Sequence, residues 1–306
     1  MYEVFNCQLS TINCQLLIKN VLSRISTLLI FLLLASSLSA QVWLGKTEIG
    51  FTVGGMNYIG DLNDQSMFGK VNLAYGGLVR YNFDDRFSLR FDVDYGHVEG
   101  GNPDYIARRN LSFRSYIFEG FLRVEFNFFP FSMREDQYVW TPFIFGGVGF
   151  FSFNPKAYFT EPLSGESDWY ELQPLCTEGQ GTALNPDNAP YVLKQLSFPF
   201  GLGVKYHPSK SLTLSAEYGF RKTWTDYLDD ISTCYVDNDQ LAYIMGDVAA
   251  GLADRSSEVE PGYVNAAGIK RGDDTLDDWF AYFNVSFTVK FDLLFGWMLK
   301  KKCDIK

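Results

Sequence analysis

Alternation of apolar and polar residues is the feature that most constrains the fold of this chain. It runs for about ten to fifteen residues, breaks and resumes about eight times, between 69 and 129 and again between 138 and 291. In the clearest stretch, 86–96, every second residue is aromatic or aliphatic, and the residues between them are polar, charged or glycine. Side chains of a β-strand point alternately to opposite faces, so each stretch is predicted to form a strand with one apolar face.

Repeated strands of this kind predict an all-β fold, an eight-stranded antiparallel transmembrane β-barrel. Each strand is long enough to cross a bilayer at a tilt, which needs about nine to eleven residues. The 17% of aromatic residues and the 27 glycines suit such a barrel. A soluble β-sandwich is the alternative fold, but it would not keep apolar aromatic residues on a continuous outward face of every strand. The predicted strands are 46–57, 70–83, 86–98, 113–129, 139–153, 193–206, 211–225 and 279–292.

Charged residues of the predicted strands fall on the face opposite the apolar one. A charge that faces lipid at mid-membrane costs about 2–4 kcal/mol, so this face is predicted to line the lumen. The charges are of both signs and can pair across a narrow lumen, which lowers the cost of burying them. Interiors of eight-stranded barrels are filled by side chains or hold one small ligand, so porin-like conduction is disfavoured. The predicted lumen charge network comprises Arg90, Asp92, Asp94, Glu119, Arg123, Glu125, Lys205, Glu217, Arg221 and Lys290.

Links between the predicted strands alternate between short and long. Short turns of outer-membrane barrels face the periplasm and long loops face the outside. Both termini are therefore predicted to be periplasmic, in a multi-pass protein of the bacterial outer membrane. The short links are 82–85, 130–137 and 207–210, and the long ones are 59–69, 99–112, 154–192 and 226–278.

The first 40 residues are predicted to be removed on export. Lys19 and Arg24 precede the apolar run 28–34, and Ser39-Ala40 supply small residues for cleavage. The run is too short for a spanning helix, which needs about 20 residues; a retained N-terminal anchor is the alternative. Residues 1–18 repeat the phrase Asn-Cys-Gln-Leu and do not fit a signal peptide, so we expect the true start of the gene to lie further along. The expected organisation is an extension and signal peptide at 1–40, a barrel at 41–295 and a basic periplasmic tail at 296–306.

No catalytic constellation stands out. The two histidines, His97 and His207, fall near a predicted strand end and in a predicted turn. We expect a non-enzymatic protein without catalytic residues, metal or cofactor, with an outer-membrane enzyme as the alternative. The formal net charge of −10 argues against a nucleic-acid partner, because phosphate binding relies on Lys and Arg.

Two features of the long loops bear on function. The acidic loop 226–278 is interpreted as a solvated, repulsive loop, with a divalent-cation site as the alternative because such ions prefer clustered oxygens. Cys176 and Cys234 lie in the third and fourth long loops. In an oxidising compartment they can form a loop disulfide, and two free thiols are the alternative.

Seven phrases, taken in order, resemble one family. They are 54–63 (GGMNYIGDLN), 109–115 (RNLSFRS), 126–130 (FNFFP), 153–157 (FNPKA), 171–175 (ELQPL), 177–181 (TEGQG) and 220–230 (FRKTWTDYLDD). In this order they are similar to the PorG-like outer-membrane barrels of Bacteroidetes, known as a domain of unknown function. The resemblance runs from about residue 48 to 291.

The resemblance implies a barrel associated with the type IX protein secretion system. A barrel of this family binds a periplasmic ring built from a lipoprotein and its partner. The implied partners are thus outer-membrane lipid and periplasmic ring components, bound through the short turns and the termini. We expect a barrel that anchors or supports the secretion machinery; a small channel or a ligand-binding barrel is the alternative.

Overall fold

The structure is a computed structural model that describes residues 46–62, 70–101, 109–131, 138–161 and 164–291. The strands and helices given below belong to one structural unit, Thr47–Lys306. The predicted export segment 1–40 and the basic tail 296–306 lie outside the described residues.

Eight long antiparallel strands close into a barrel. The ring closes because the first strand pairs with the last from Glu48↔Lys290 to Ile59↔Trp279, while the third strand pairs with the fourth. The predicted eight-stranded antiparallel barrel is therefore confirmed. Its strands are β1 (Thr47–Ile59), β2 (Asn72–Asn82), β3 (Phe87–Gly100), β4 (Phe113–Asn127), β5 (Trp140–Ser152), β8 (Lys194–Ser209), β9 (Leu212–Thr223) and β10 (Trp279–Lys290).

The largest difference from the predicted boundaries is in β8. This strand was predicted to end at 206 but continues to Ser209. A register shift between Tyr206 and Ser209 makes the continuation possible, because a bulge lets the strand bend into its turn while it still pairs with β9.

The two faces of the barrel strands differ sharply in chemistry. On the outer face, Leu73, Val148 and Leu202 are 66%, 65% and 64% exposed, whereas the inward-facing Arg90 and Glu125 are fully buried. An apolar surface that is continuous around the ring would be costly in water but is stable against lipid. The architecture is that of an outer-membrane β-barrel. Among the described residues, no helix has the length and hydropathy needed to cross a membrane.

The two ends of the barrel are built differently. At one end, here called the turn end, short links connect β2 to β3, β4 to β5 and β8 to β9. In the first of these, Asp84 Oδ1 accepts hydrogen bonds from the backbone N–H groups of Arg86 (2.7 Å) and Phe87 (2.8 Å). This local side-chain bond fixes a tight turn. The opposite end carries the four long links and is called the loop end.

The described parts of the long links 60–71, 101–112, 153–193 and 224–278 form a folded layer, here called the loop cap. Asp237 caps the first helix of this layer by accepting a hydrogen bond from the N–H of Gln240 (2.9 Å). Gly246, with a φ of +96°, separates the two helices. The elements of the cap are a hairpin of β6 (Pro155–Thr160) and β7 (Ser167–Glu171), helices α1 (Asn238–Met245) and α2 (Asp247–Ala253), and short 3-10 helices at Gln173–Leu175 and Ser256–Glu258.

A buried apolar cluster joins the loop cap to the upper part of the barrel. From the barrel it takes Tyr58, Val98 and Phe280, and from the cap Leu228 and Leu252, none more than 3% exposed. The expectation that the acidic loop 226–278 is solvated is therefore wrong in part: Asp229, Asp230 and Asp278 are buried, whereas Asp239, Asp247 and Asp274 are exposed. Its backbone folds over apolar residues that are distant in sequence, and several of its carboxylates are buried with them.

Candidate functional sites in the lumen and the loop cap

Inward-facing charges fill the lumen of the barrel. They are brought together because each occupies an inward position of its strand, where side chains of opposite strands meet. Six carboxylates face five cations, and every one of these residues is at most 3% exposed. The buried lumen charges are Glu48, Arg80, Arg90, Asp92, Asp94, Glu119, Arg123, Glu125, Lys205, Glu217 and Arg221.

Glu125 lies at the centre of the cations nearer the turn end. Its carboxylate is 2.6 Å from Lys205 Nζ, 2.9 Å from Arg80 Nε and 3.4 Å from Arg90 Nη1. Arg123 Nε is 3.6 Å away. Because a buried ion needs counter-charges at hydrogen-bonding distance to offset its desolvation, Glu125 holds four strands together.

Glu217 continues this network across the lumen. It accepts from Arg123 Nη2 at 2.8 Å, from Arg90 Nη1 at 3.0 Å and from Asn284 Nδ2 at 3.0 Å. Further towards the loop end, Arg221 Nη2 lies 3.0 Å from Glu119 Oε1. The network thus runs through the barrel rather than around its wall.

Aromatic rings pack against the cations of the lumen. The guanidinium of Arg123 lies 4.1 Å from the centre of the Phe145 ring, and Lys205 Nζ lies 4.6 Å from that of Phe143. The guanidinium of Arg221 lies 4.9 Å from the Phe121 ring. These cation–π contacts place flat apolar rings against the charges inside the barrel.

The structure places nine of the ten predicted lumen charges inside the barrel. The tenth, Lys290, is half-buried at the end of β10, where its backbone N–H donates to the Ser211 carbonyl (3.2 Å). Glu48 and Arg80 belong to the network but are absent from the prediction. Local alternation does indicate that both side chains face inward, since Glu48 precedes Ile49 and Arg80 lies between Val79 and Tyr81. Glycines, however, interrupt the alternation elsewhere in β1 and β2.

A buried hydroxyl joins two carboxyl groups beneath the loop cap. Tyr58 Oη lies 2.7 Å from Asp229 Oδ2 and 2.7 Å from Asp278 Oδ1. A hydroxyl carries one proton and can donate only one hydrogen bond, so one carboxyl group must donate to it and is protonated. In agreement, burial raises the pKa of Asp229 and of Asp278 well above the ordinary range of aspartate.

Glu178 joins the third long loop to the fourth. Its Oε1 accepts from the Ser232 N–H (2.9 Å) and from Arg271 Nη1 (3.0 Å), and its Oε2 accepts from Thr233 Oγ1 (2.7 Å). Arg271 Nη1 also donates to the Asp230 carbonyl (2.6 Å). These charge-assisted bonds hold two segments that are about 50–90 residues apart in sequence.

Two further aspartates of the cap have shifted acidities. Burial raises the pKa of Asp230 to about 6, although Arg271 opposes the shift. Burial raises the pKa of Asp226 to about 8, with an added contribution from the carboxylate of Asp61. The cap therefore titrates in a pH range where exposed aspartates do not.

Of the two alternatives for Cys176 and Cys234, the structure has two free thiols and not a loop disulfide. Cys176 is buried at the end of a 3-10 helix, where its φ is +46°. Cys234 pairs with Lys270 in a β-bridge and lines a surface cleft. The third and fourth long loops contact each other through the hydrogen bonds of Glu178. Their two cysteines lie in different surroundings, one buried and one at the surface cleft.

A maleimide reagent is expected to label Cys234 in the folded protein about tenfold faster than Cys176, or more. Cys234 is exposed, whereas burial raises the pKa of the Cys176 thiol and lowers its thiolate fraction. The measurement is mass spectrometry of a variant whose other cysteines are serine, with denatured protein as the control for equal reactivity. A mass two hydrogen atoms lower before reduction would show a disulfide instead.

An open cleft of about 640 Å³ lies between the third and fourth long loops. Asn188 and Tyr227 form part of its wall, and Asn188 Nδ2 donates to Tyr227 Oη (2.6 Å). Among the described residues, no group of three or more His, Cys, Asp or Glu side chains is arranged to hold a metal ion. His97 and His207 lie apart from the cleft, His97 near Glu99 and His207 stacked on Phe131.

Comparisons with known proteins give one family match. A family model described as a domain of unknown function, DUF6089, matches residues 23–170, which is slightly less than half of the chain. The curated proteins contain no match.

Several solved structures of outer-membrane proteins are similar in fold at very low identity. Neisserial surface protein A is 10% identical over 80% of this chain and 97% of its own, with a TM-score of 0.36. OprG of Pseudomonas aeruginosa is 12% identical over 80% and 96%, also with a TM-score of 0.36. Ail of Yersinia pestis, crystallised with the heparin analogue sucrose octasulfate, is 8% identical over 79% and 95%, with a TM-score of 0.34. The fold assignment rests on the strand pairing of this chain itself.

Proposed function

We propose that this chain is a non-enzymatic, non-conducting outer-membrane barrel that anchors or supports the type IX protein secretion machinery through its periplasmic face. The observation that carries the first part is the filled lumen. Glu125 and Glu217 bridge cations of opposite walls, and Phe143 and Phe145 pack against those cations. A barrel with this interior acts through its surfaces rather than through a pore.

The secretion role is supported by the ordered phrases that resemble the PorG-like barrels of Bacteroidetes. Two of them provide cap contacts: 177–181 contains Glu178, and 220–230 contains Asp229 and Asp230. In this proposal the loop end faces outside, and the turn end and both termini face the periplasm. The turn end then offers a compact surface of short turns for a periplasmic ring, while the folded cap keeps the outer mouth closed.

The test is detergent extraction and pulldown of the tagged barrel, with identification of the co-purified proteins. Reversing a charge at the turn end, Lys210→Glu, is expected to reduce recovery of periplasmic ring components. Lys194→Glu, an exposed position where β8 leaves the loop cap, is the matched control and should leave recovery unchanged. The proposal is wrong if no ring component is recovered and a deletion strain exports its type IX cargo normally.

Planar bilayers containing the purified barrel are expected to show no stable single-channel steps. Ions would have to displace paired charges that are at most 3% exposed, at a desolvation cost of several kcal/mol per ion. A known porin measured in the same bilayers is the control for reconstitution. Reproducible steps from the wild-type barrel would favour the small-channel alternative.

The cleft of about 640 Å³ favours a second candidate, a barrel that binds a small ligand in its loops. This volume lies within the range of about 300–1,000 Å³ that is usual for ligand sites. A ligand-binding barrel would not need a periplasmic partner. Normal cargo export in the deletion strain, combined with a ligand whose affinity falls on Asn188→Ala, would favour this candidate.

A further inference from the structure

The hairpin of β6 and β7 ends the sheet on one side of the loop cap. β6 adds to β4 beyond the last residues that β4 shares with β5, through Arg114↔Lys156 and Ser115↔Pro155. β7 pairs with β6, and among the described residues no strand lies on the other side of β7. The sheet thus has an open edge although the barrel below it is closed.

The backbone hydrogen bonds show which groups of β7 face this open edge. The Leu172 N–H donates to the Pro155 carbonyl (2.9 Å), and the Glu161 N–H donates to the Glu166 carbonyl (2.8 Å). Because hydrogen-bonded pairs alternate along an antiparallel ladder, even-numbered residues of β7 bond to β6. Ser167, Trp169 and Glu171 therefore direct their backbone N–H and C=O groups outward.

The open edge is exposed but held in place. Ser167, Trp169 and Glu171 are exposed, while Tyr170 is half-buried and packs edge-on against Phe159 of the cap core. The Arg114 guanidinium stacks over the Trp169 ring at 4.4 Å, and Lys156 Nζ bonds to Glu171 at 2.8 Å. A strand already fixed in extended form loses little conformational entropy when a further strand pairs with it.

One outward group is covered by a side chain of the strand itself. Asp168 Oδ1 accepts from the Trp169 N–H at 2.7 Å. This bond satisfies the amide in the absence of a neighbour, and rotation of the exposed Asp168 side chain releases it. Such a cover keeps the edge soluble without blocking it.

The charge around the hairpin is acidic. Glu161, Glu166, Asp168 and Glu171 lie on the two strands or the turn between them. Three cations contact the hairpin and all are already paired: Arg114 with Glu99, Lys156 with Glu171, and Arg255, which donates to the Tyr158 carbonyl, with Glu258. A second copy of this hairpin would bring further carboxylates to the edge, so the charge opposes self-pairing and favours a basic partner.

We propose that the open edge of β7 binds an extended, basic polypeptide segment by strand addition. Ser167, Trp169 and Glu171 supply the backbone bonds, and the surrounding carboxylates select Lys or Arg at alternate positions of the segment. This inference does not depend on the secretion role, because it concerns the loop end and not the turn end.

The test uses the full mature barrel in lipid nanodiscs and a fluorescein-labelled heptapeptide in which Lys alternates with Val and Thr. Saturable binding is expected, weakened about tenfold or more when salt is raised from about 50 to about 500 mM. Hydrogen exchange of the segment containing Ser167, Trp169 and Glu171 is expected to slow on binding. The same peptide with Glu in place of Lys should bind at least about tenfold more weakly.

Two variants distinguish edge pairing from a general charge effect. Ser167→Pro removes an outward N–H and leaves the backbone hydrogen bonds to β6 in place, losing on that side only the bond between Ser167 Oγ and Thr160 Oγ1 (2.8 Å), and should weaken binding about tenfold or more. Glu166→Lys should do the same through charge, whereas Asp274→Lys, an exposed acidic position elsewhere in the cap, should not. Slow maleimide labelling of the buried Cys176, unchanged from the wild type, shows that each variant retains its cap.

Three outcomes would overturn the inference. The first is equal binding of the basic and acidic peptides. The second is retention of full affinity by both Ser167→Pro and Glu166→Lys. The third is concentration-dependent dimerisation that Ser167→Pro abolishes, since the edge would then bind a second copy of this chain.

Discussion

Replacing Glu125 by glutamine is expected to lower the free energy of unfolding of the barrel by about 3–5 kcal/mol. The change keeps the shape of the side chain but removes the charge that Lys205 and Arg80 share. Arg80 keeps Glu48 at 2.9 Å, whereas Lys205 keeps the amide oxygen of Asn127 at 2.8 Å and the Phe143 ring at 4.6 Å, neither of which carries a counter-charge. A buried ammonium without a counter-charge therefore accounts for most of the loss. Urea unfolding in lipid vesicles, followed by tryptophan fluorescence, measures the change.

Two controls make this prediction specific. Glu99→Gln removes a carboxylate from a partly exposed pair with Arg114, and such pairs contribute about 0–1 kcal/mol. The double variant Glu125→Gln/Lys205→Met removes both charges and should recover part of the loss, because no buried ammonium then remains. Equal unfolding midpoints for the wild type and Glu125→Gln would show that the lumen charges do not hold the strands together.

The loop cap is expected to lose stability as the pH rises from about 4 to about 8 or above. The pKa of an aspartate in the unfolded chain is near 3.9, whereas burial raises that of Asp230 to about 6 and that of Asp226 to about 8. A raised pKa in the folded state means that the folded cap holds protons that the unfolded cap has released. The stabilisation is complete at low pH and is lost as the pH rises to the folded value. For the buried Asp230 alone, two pH units correspond to roughly 3 kcal/mol.

Hydrogen exchange of cap amides, corrected for the intrinsic effect of pH, measures this change. Asp229→Asn and Asp278→Asn replace groups that ionise with an amide that does not, so each should flatten the dependence of cap stability on pH. Asparagine can still accept the hydrogen bond from Tyr58. The exposed Asp274→Asn should leave the slope as in the wild type. A cap that becomes more protected with rising pH would contradict the prediction.

The barrel could be predicted from the sequence because its geometry is local. Side chains of a strand alternate between its two faces. The apolar neighbours Leu89 and Phe91 therefore indicate that Arg90 lies on the opposite, inward face. Glu48 and Arg80 are harder to assign from the sequence. Gly50 and Gly76-Gly77 carry no side chains, so they interrupt the alternation of apolar and polar residues next to them. No local pattern predicts the pairing of β1 with β10. This pairing follows only because a barrel must close on itself.

The loop cap could not be predicted because its contacts are distant in sequence. Tyr58 meets Asp229 and Asp278 across 171 and 220 residues, and Glu178 meets Arg271 across 93. The sequence of the acidic loop alone shows its carboxylates but not their distant partners. It therefore predicts that these carboxylates are solvated. The surroundings of each cysteine are likewise set by how the loops cross, so the sequence alone leaves a loop disulfide and two free thiols as alternatives.

The seam between the first and last strands makes assembly of this barrel a late and collective event. One edge of β1 stays unpaired until β10, which follows it by more than 200 residues, is in place. Arg90 and Arg123 obtain Glu217 only when β9 has joined the ring. A partly built sheet thus carries two unpaired edges and cations without counter-ions, neither of which tolerates hydrocarbon. Entry into the bilayer and neutralisation of the interior are therefore coupled, and a chain that ends before Trp279 can complete neither.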